Sequence, residues 1–182
     1  MECEFSVELG AEDPTLAVPW RSPDGSVEFV ELRLFPEEIE FIPEVRRFPE
    51  LREFLLALNE GVYATAKCDV WFDTLMDVDD EPYEAQMKCA SYVDVFFVAP
   101  PLQFGRFEVH EPVARGVVQR IREAAGINAR AELVVRRVYY GEKAQEPGLY
   151  WTVYVTGYGE DMASAREQWK QGMARVIEAM GV

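Results

Sequence analysis

Two stretches of this chain place chemically capable side chains at every second position. In 64–73, ATAKCDVWFD, these are Lys67, Asp69, Trp71 and Asp73. In 86–98, QMKCASYVDVFFV, they are Lys88, Tyr92 and Asp94. Side chains two apart on a β-strand share a face, so each stretch would present ammonium, carboxylate and aromatic groups together. If the two pair as a hairpin turning near Val78, Asp69 lies beside Lys88 and the polar faces merge. Such a surface can be a cleft with an aromatic wall for a small ligand. The plainer reading is a solvent-facing sheet side held by cross-strand ion pairs.

A third stretch, 130–140, carries Arg136 and Arg137 beside Tyr139 and Tyr140. Neighbouring strand residues point to opposite faces, so one of the two arginines leans toward the core side. Its companions are Leu133 and Val135 if it is Arg137, or Val134 and Val138 if it is Arg136. A guanidinium there needs a carboxylate, from the protein or from a ligand. Tyr150, Thr152, Tyr154 and Thr156 line one side of the next strand. An internal salt bridge is the plain outcome; an anion clamp beside tyrosines is the functional one. The candidate ligand-binding set is therefore Lys67, Asp69, Trp71, Lys88, Tyr92, Asp94, Arg136, Arg137 and Tyr139.

Other chemistry has thinner support. The hairpin register above also brings Cys68 near Cys89, as a thiol pair or half a metal site, although free cysteine is more often a small buried residue. His110, the one histidine, stands before Pro112 at an expected helix start, where local hydrogen bonds are its ordinary role. The acidic run around Asp77, Asp79, Asp80 and Glu81 lacks the EF-hand spacing and reads as a solvated turn. No CxxC, Walker A, GxGxxG, GxSxG or HExxH motif occurs. No metal or cofactor is expected, and the sequence identifies no catalytic residue.

The elements that would position these residues follow from periodicity. The start, CEFSVEL, alternates as an edge strand. Residues 10–25 read as an ordered loop in which Leu16, Val18 and Trp20 must pack, and 26–35 as a strand with a possible bulge. Pro49 opens a helix whose Leu51, Phe54, Leu55 and Leu58 form one stripe. Two strands follow at 64–73 and 86–98. Pro112 is expected to start a second helix ending at Gly126. Strands at 130–140 and 149–157 come next, and a last helix begins near Asp161. Its Met162, Ala165, Trp169, Met173, Val176, Ile177 and Met180 share a face with Gly172, which permits close approach to a sheet. This order predicts an α+β domain: an antiparallel sheet with helices mainly on one face, in a ferredoxin-like βαββαβ core with one extra strand and a C-terminal helix. A βαββ duplication is a related expectation, because Gly61, Val62, Ala64, Ala66 and Val70 recur 65 residues later as Gly126, Ile127, Ala129, Ala131 and Val135.

Totals bound the rest. The chain has 182 residues, 49% of them apolar, enough for one domain with its own core. Its 33 acidic and 18 basic residues leave a net charge of −15. Nucleic acids and anionic membranes draw affinity from Lys and Arg, so neither is an expected partner. Three cysteines make no disulfide framework. The acidic N-terminus lacks the basic and apolar regions of a secretory signal, and the cytoplasm is the expected compartment. The expected function is a non-catalytic binding or interaction module with a protein partner or a small molecule. The alternative is a small-molecule-binding protein or enzyme with a polar, aromatic cleft on the sheet.

Overall fold

The computed structural model describes residues 1–75, 83–98, 105–140 and 146–182. The acidic run 77–81 lies outside them.

The chain forms one mixed, six-stranded sheet. Its strands are β1 (Glu2–Val7), β2 (Thr15–Val18), β3 (Tyr63–Thr74), β4 (Met87–Phe97), β5 (Ala129–Tyr140) and β6 (Glu146–Gly159). The spatial order is β1-β5-β6-β4-β3, and β2 also pairs with β5. The hairpins β3–β4 and β5–β6 are antiparallel, as is the β4–β6 pair joining them. β1 and β2 instead run parallel to β5, covering successive parts of its outer edge. The expectation of a purely antiparallel sheet is corrected accordingly. The chain leaves the edge at 8–14 and rejoins it as β2 without reversing, so both strands run in the same sense beside β5.

The ferredoxin-like order is not reproduced either. β6 lies between β5 and β4, while β1 stays at the edge. Nor does the packing bear out an internal repeat. Ala66 packs against the small cluster with Phe96 and Tyr150, whereas its counterpart Ala131 belongs to the main core under the helices.

Three helices pack on one face of the sheet: α2 (Pro49–Glu60), α3 (Phe107–Arg122) and α4 (Met162–Met180), with the short α1 (Pro43–Arg47) before them. The main core joins Leu51, Phe54, Leu55 and Leu58 of α2 to alternate strand residues such as Val93, Val95, Trp151, Val153 and Val155. α4 starts on a reciprocal capping box, Asp161 with Ser164, and stops at Gly181 with φ 77°. Its approach to the sheet is closest at two strand glycines. A Cβ on Gly157 would stand 2.0 Å from the Trp169 backbone nitrogen, and one on Gly159 2.4 Å from that of Ala165. Only glycine admits backbone that near.

Two expected elements are displaced. Residues 26–35 form no strand; turns and a short 3-10 helix, Pro36–Phe41, occupy this region. The strand lies earlier, at β2, inside the stretch read as a loop. Leu16 and Val18 bury themselves there, at 4% and 1% exposure. α3 begins at Phe107, not Pro112, so the proline falls inside the helix. Burial of His110, Ala114, Val117, Val118 and Ile121 along α3 outweighs the bond that Pro112 cannot make.

Candidate functional site

The face of the sheet away from the helices carries the polar residues. Along β4 it shows Lys88, Ala90, Tyr92, Asp94 and Phe96; along β6, Tyr150, Thr152, Tyr154 and Thr156. Register decides which of them meet. β3 and β4 pair Asp69 with Tyr92 and Asp73 with Lys88, so Asp69 does not lie beside Lys88 as expected. The same register separates the cysteines: Cys68 faces Val93, and Cys89 faces Phe72. Burial pushes the Cys3 and Cys89 thiols up to about 12 and raises that of Cys68 as well. No thiol pair is formed.

A β-bulge sits at the centre of this face. Thr65 pairs with Val95 and Cys68 with Val93, which leaves Ala66 and Lys67 together across from Asp94. A bulge bends its strand and re-aims a side chain. Here it allows Thr65 to bond with Asn59 under α2 while Lys67 turns to the open face. Strict alternation would put Ala66 on the core side with Cys68, Val70 and Phe72; the bulge moves it to the smaller cluster instead.

Lys67, Tyr92, Asp94, Arg136, Tyr150, Thr152 and Tyr154 line one cavity of about 220 Å³, with Pro14, Thr15 and Leu16 at its border. Asp94 is 5% exposed. The Thr152 hydroxyl donates to its Oδ1 at 2.8 Å, and Arg136 Nη1 donates to that hydroxyl at 2.7 Å and to Tyr154 OH at 3.2 Å. Arg136 Nε completes the chain with a 2.7 Å bond to Glu8. Of the two arginines, Arg136 is therefore the buried one, its side chain 12% exposed, and the carboxylate it needs comes from the protein. Arg137 donates to the Gly10 carbonyl at 2.7 Å and braces the turn before β2.

Burial raises the Asp94 carboxyl to about 6, against the pull of Thr152, Arg136 and Lys67. Burial and then the nearby Asp94 charge lift Tyr92 and Tyr150 to about 12, so both remain neutral phenols at physiological pH. The cavity thus offers hydroxyl donors, a carboxyl near its titration point and two cations.

A second, less polar cavity of about 350 Å³ adjoins it and shares Lys67 and Tyr92. Its walls include Trp20, Val27, Val30, Leu32, Phe41 and Ile42. Trp20 Nε1 donates to the Ala66 carbonyl at 3.1 Å and thereby ties the loop to the bulged strand. The Lys67 ammonium stands 5.0 Å over the Trp20 ring.

Five candidates lie outside both cavities: Asp69, Trp71, Lys88, Arg137 and Tyr139. Trp71 and Tyr139 are exposed, and Asp69 Oδ1 accepts from the Val70 backbone on the edge strand. His110 is also elsewhere, fully buried in the core and accepting from Trp151 Nε1 at 3.1 Å. It is a core residue on α3 and not a surface cap. Sequence reasoning missed Glu8, Thr15, Leu16, Trp20 and the lining from Val27 to Ile42. The apolar side chains stranded in the proline-rich stretch were the one available signal.

Among the described residues, no cluster of three His, Cys, Asp or Glu could hold a metal ion, and no helix is long and apolar enough to cross a membrane. Compared with known protein families, with curated proteins and with solved structures, the chain matches none.

Proposed function

We propose that this protein binds a small molecule in the cavity on the open face of its sheet, as a non-catalytic binding protein. The observation that carries this reading is the convergence of Lys67, Tyr92, Asp94 and Arg136, from three strands, in one concavity. A flat sheet face would scatter them. Rigid strands are good platforms for such a site, and the Glu8–Arg136–Thr152–Asp94 chain supports the cavity floor. Keeping a carboxyl 5% exposed works against stability, a pattern common where a group serves binding.

A thermal-shift screen of metabolites tests this. A ligand at a hundred times its dissociation constant stabilises by about 2.7 kcal/mol. The shift should vanish in Tyr92→Ala and persist in Trp71→Ala. A screen without hits, or a shift indifferent to Tyr92, overturns the reading.

The net charge of −15 favours one further reading, an acidic surface for a basic cytoplasmic partner protein. Capture of such a partner at low salt, and its loss at high salt, is the expected result.

A further inference from the structure

We infer that the occupant is an amphipathic carboxylic acid, its carboxylate paired with Lys67 and its apolar body lodged in the cavity beside Trp20. This rests on the small-molecule reading above and adds the class of ligand. The first ground is the junction. Lys67 and Tyr92 line both cavities, so a molecule reaching from one to the other passes the Lys67 ammonium and the Tyr92 hydroxyl.

The second ground is the charge left over at that junction. Glu8 pairs with Arg136, and Arg21 pairs with Glu28 on the wall of the apolar cavity. Asp94 is engaged by Thr152. Among the described residues, Lys67 has no carboxylate within ion-pairing distance, and its ammonium rests on the Trp20 ring. Asp94 acts on this ammonium electrostatically but forms no direct ion pair with it, so an anion that also accepts from the Tyr92 phenol can make the charge-assisted bond. Two rings that could take an ammonium are already covered, Trp20 by Lys67 and Tyr154 by Arg136 at 5.8 Å, and Glu44 is the lining carboxylate an amine would have to reach instead.

The third ground is the lining. Val27, Val30, Leu32 and Leu55 supply hydrocarbon, with Ser22 and Glu44 as polar groups on the same lining. Phe41 is 68% exposed and Val27 39%, so apolar surface continues from the cavity outward. Exposed apolar surface joined to a cavity marks a binding entrance. At about 350 Å³, this cavity is of ligand size.

Decanoate, decanol and decylamine serve as probes, with affinities for the full chain measured by calorimetry. Decanoate should bind about tenfold or more tightly than decanol, the difference expected of a charge-assisted bond. Lys67→Met, which keeps the apolar stem, should erase that preference and leave decanol unchanged. Lys67→Arg should restore it, and Phe41→Ser should weaken both acid and alcohol. Decanol or decylamine binding as tightly as decanoate overturns the inference, as does a preference that survives in Lys67→Met. If none of the three binds while polar metabolites still stabilise the protein through Tyr92, the ligand class is wrong and the small-molecule site stands. If no compound of either kind binds, both fall.

Discussion

The two faces of the sheet solve different problems with the same strands. On the helix side, large side chains close against one another, and the buried polar groups of Trp169 and Asn59 meet dedicated partners. Trp169 Nε1 donates to Ser91 at 2.8 Å, and Asn59 spans the Leu55 carbonyl and Thr65. On the open side, the polar groups form a chain from Glu8 to Asp94 and stop at a cavity, where Lys67 acts on Asp94 without a direct ion pair among the described residues. One face is built to be stable by itself. The other holds polar groups that a stable core would not need, and that contrast is the reason to look for a ligand there.

Substitutions on the two faces should break or sharpen this contrast. Trp169→Ala should have the largest effect, because it removes a fully buried indole, opens a cavity and orphans the Ser91 hydroxyl. A loss of about 3–5 kcal/mol in denaturant unfolding is expected. A much smaller loss would mean that α4 is not a structural partner of the sheet.

Asp94→Asn should act in the opposite direction. The folded protein holds the Asp94 proton more tightly than the unfolded chain does, since burial raises its carboxyl from 3.8 to about 6. The wild type is therefore favoured below pH 4, loses stability as pH rises from about 4 to 6, and stays lower by a constant amount above that. The amide keeps an acceptor for Thr152 without the charge. Asp94→Asn should thus be more stable than wild type at pH 7 by up to about 3 kcal/mol, with the gap closing below pH 4. Unfolding curves across this range check it. Equal stability at pH 7 would show that Asp94 ionises at no cost. Glu50 and Asp161, whose carboxyls are lowered by bonds to Arg166 and Ser164, act in a more acid window and leave the difference intact.

The smallest effect belongs to Trp71→Ser. Trp71 is 37% exposed and lies outside both cavities. Its replacement should change stability by no more than about 0.5 kcal/mol and leave ligand binding unaltered. A loss of binding would move the site toward the far end of the open face.

Much of this contrast was legible in local spacing. Period-two alternation put Lys67, Asp69 and Trp71 on one face of β3, and Tyr150, Thr152 and Tyr154 on one face of β6. The stripe of Leu51, Phe54, Leu55 and Leu58 marked α2, and Asp161 marked the start of α4. These signals are local, because a side chain's face depends only on its own strand or helix. Pairing is not local. It depends on turn geometry and on the sum of contacts across the sheet, so a register displaced by a few residues replaced the Asp69–Lys88 neighbours with Asp69–Tyr92.

What the sequence determined by itself was the four long strands, the helices α2 and α4, and the chemistry on each face. Apolar period and caps encode these directly. What only the tertiary structure decided was which polar residues meet. The bulge that turns Thr65 toward Asn59 and Ala66 to the smaller cluster, the parallel course of β1 and β2 along β5, the loop tied down by Trp20 and the burial of His110 beside Trp151 are all long-range outcomes. Each is set by how separate segments fill a common space, and close packing leaves few solutions to that.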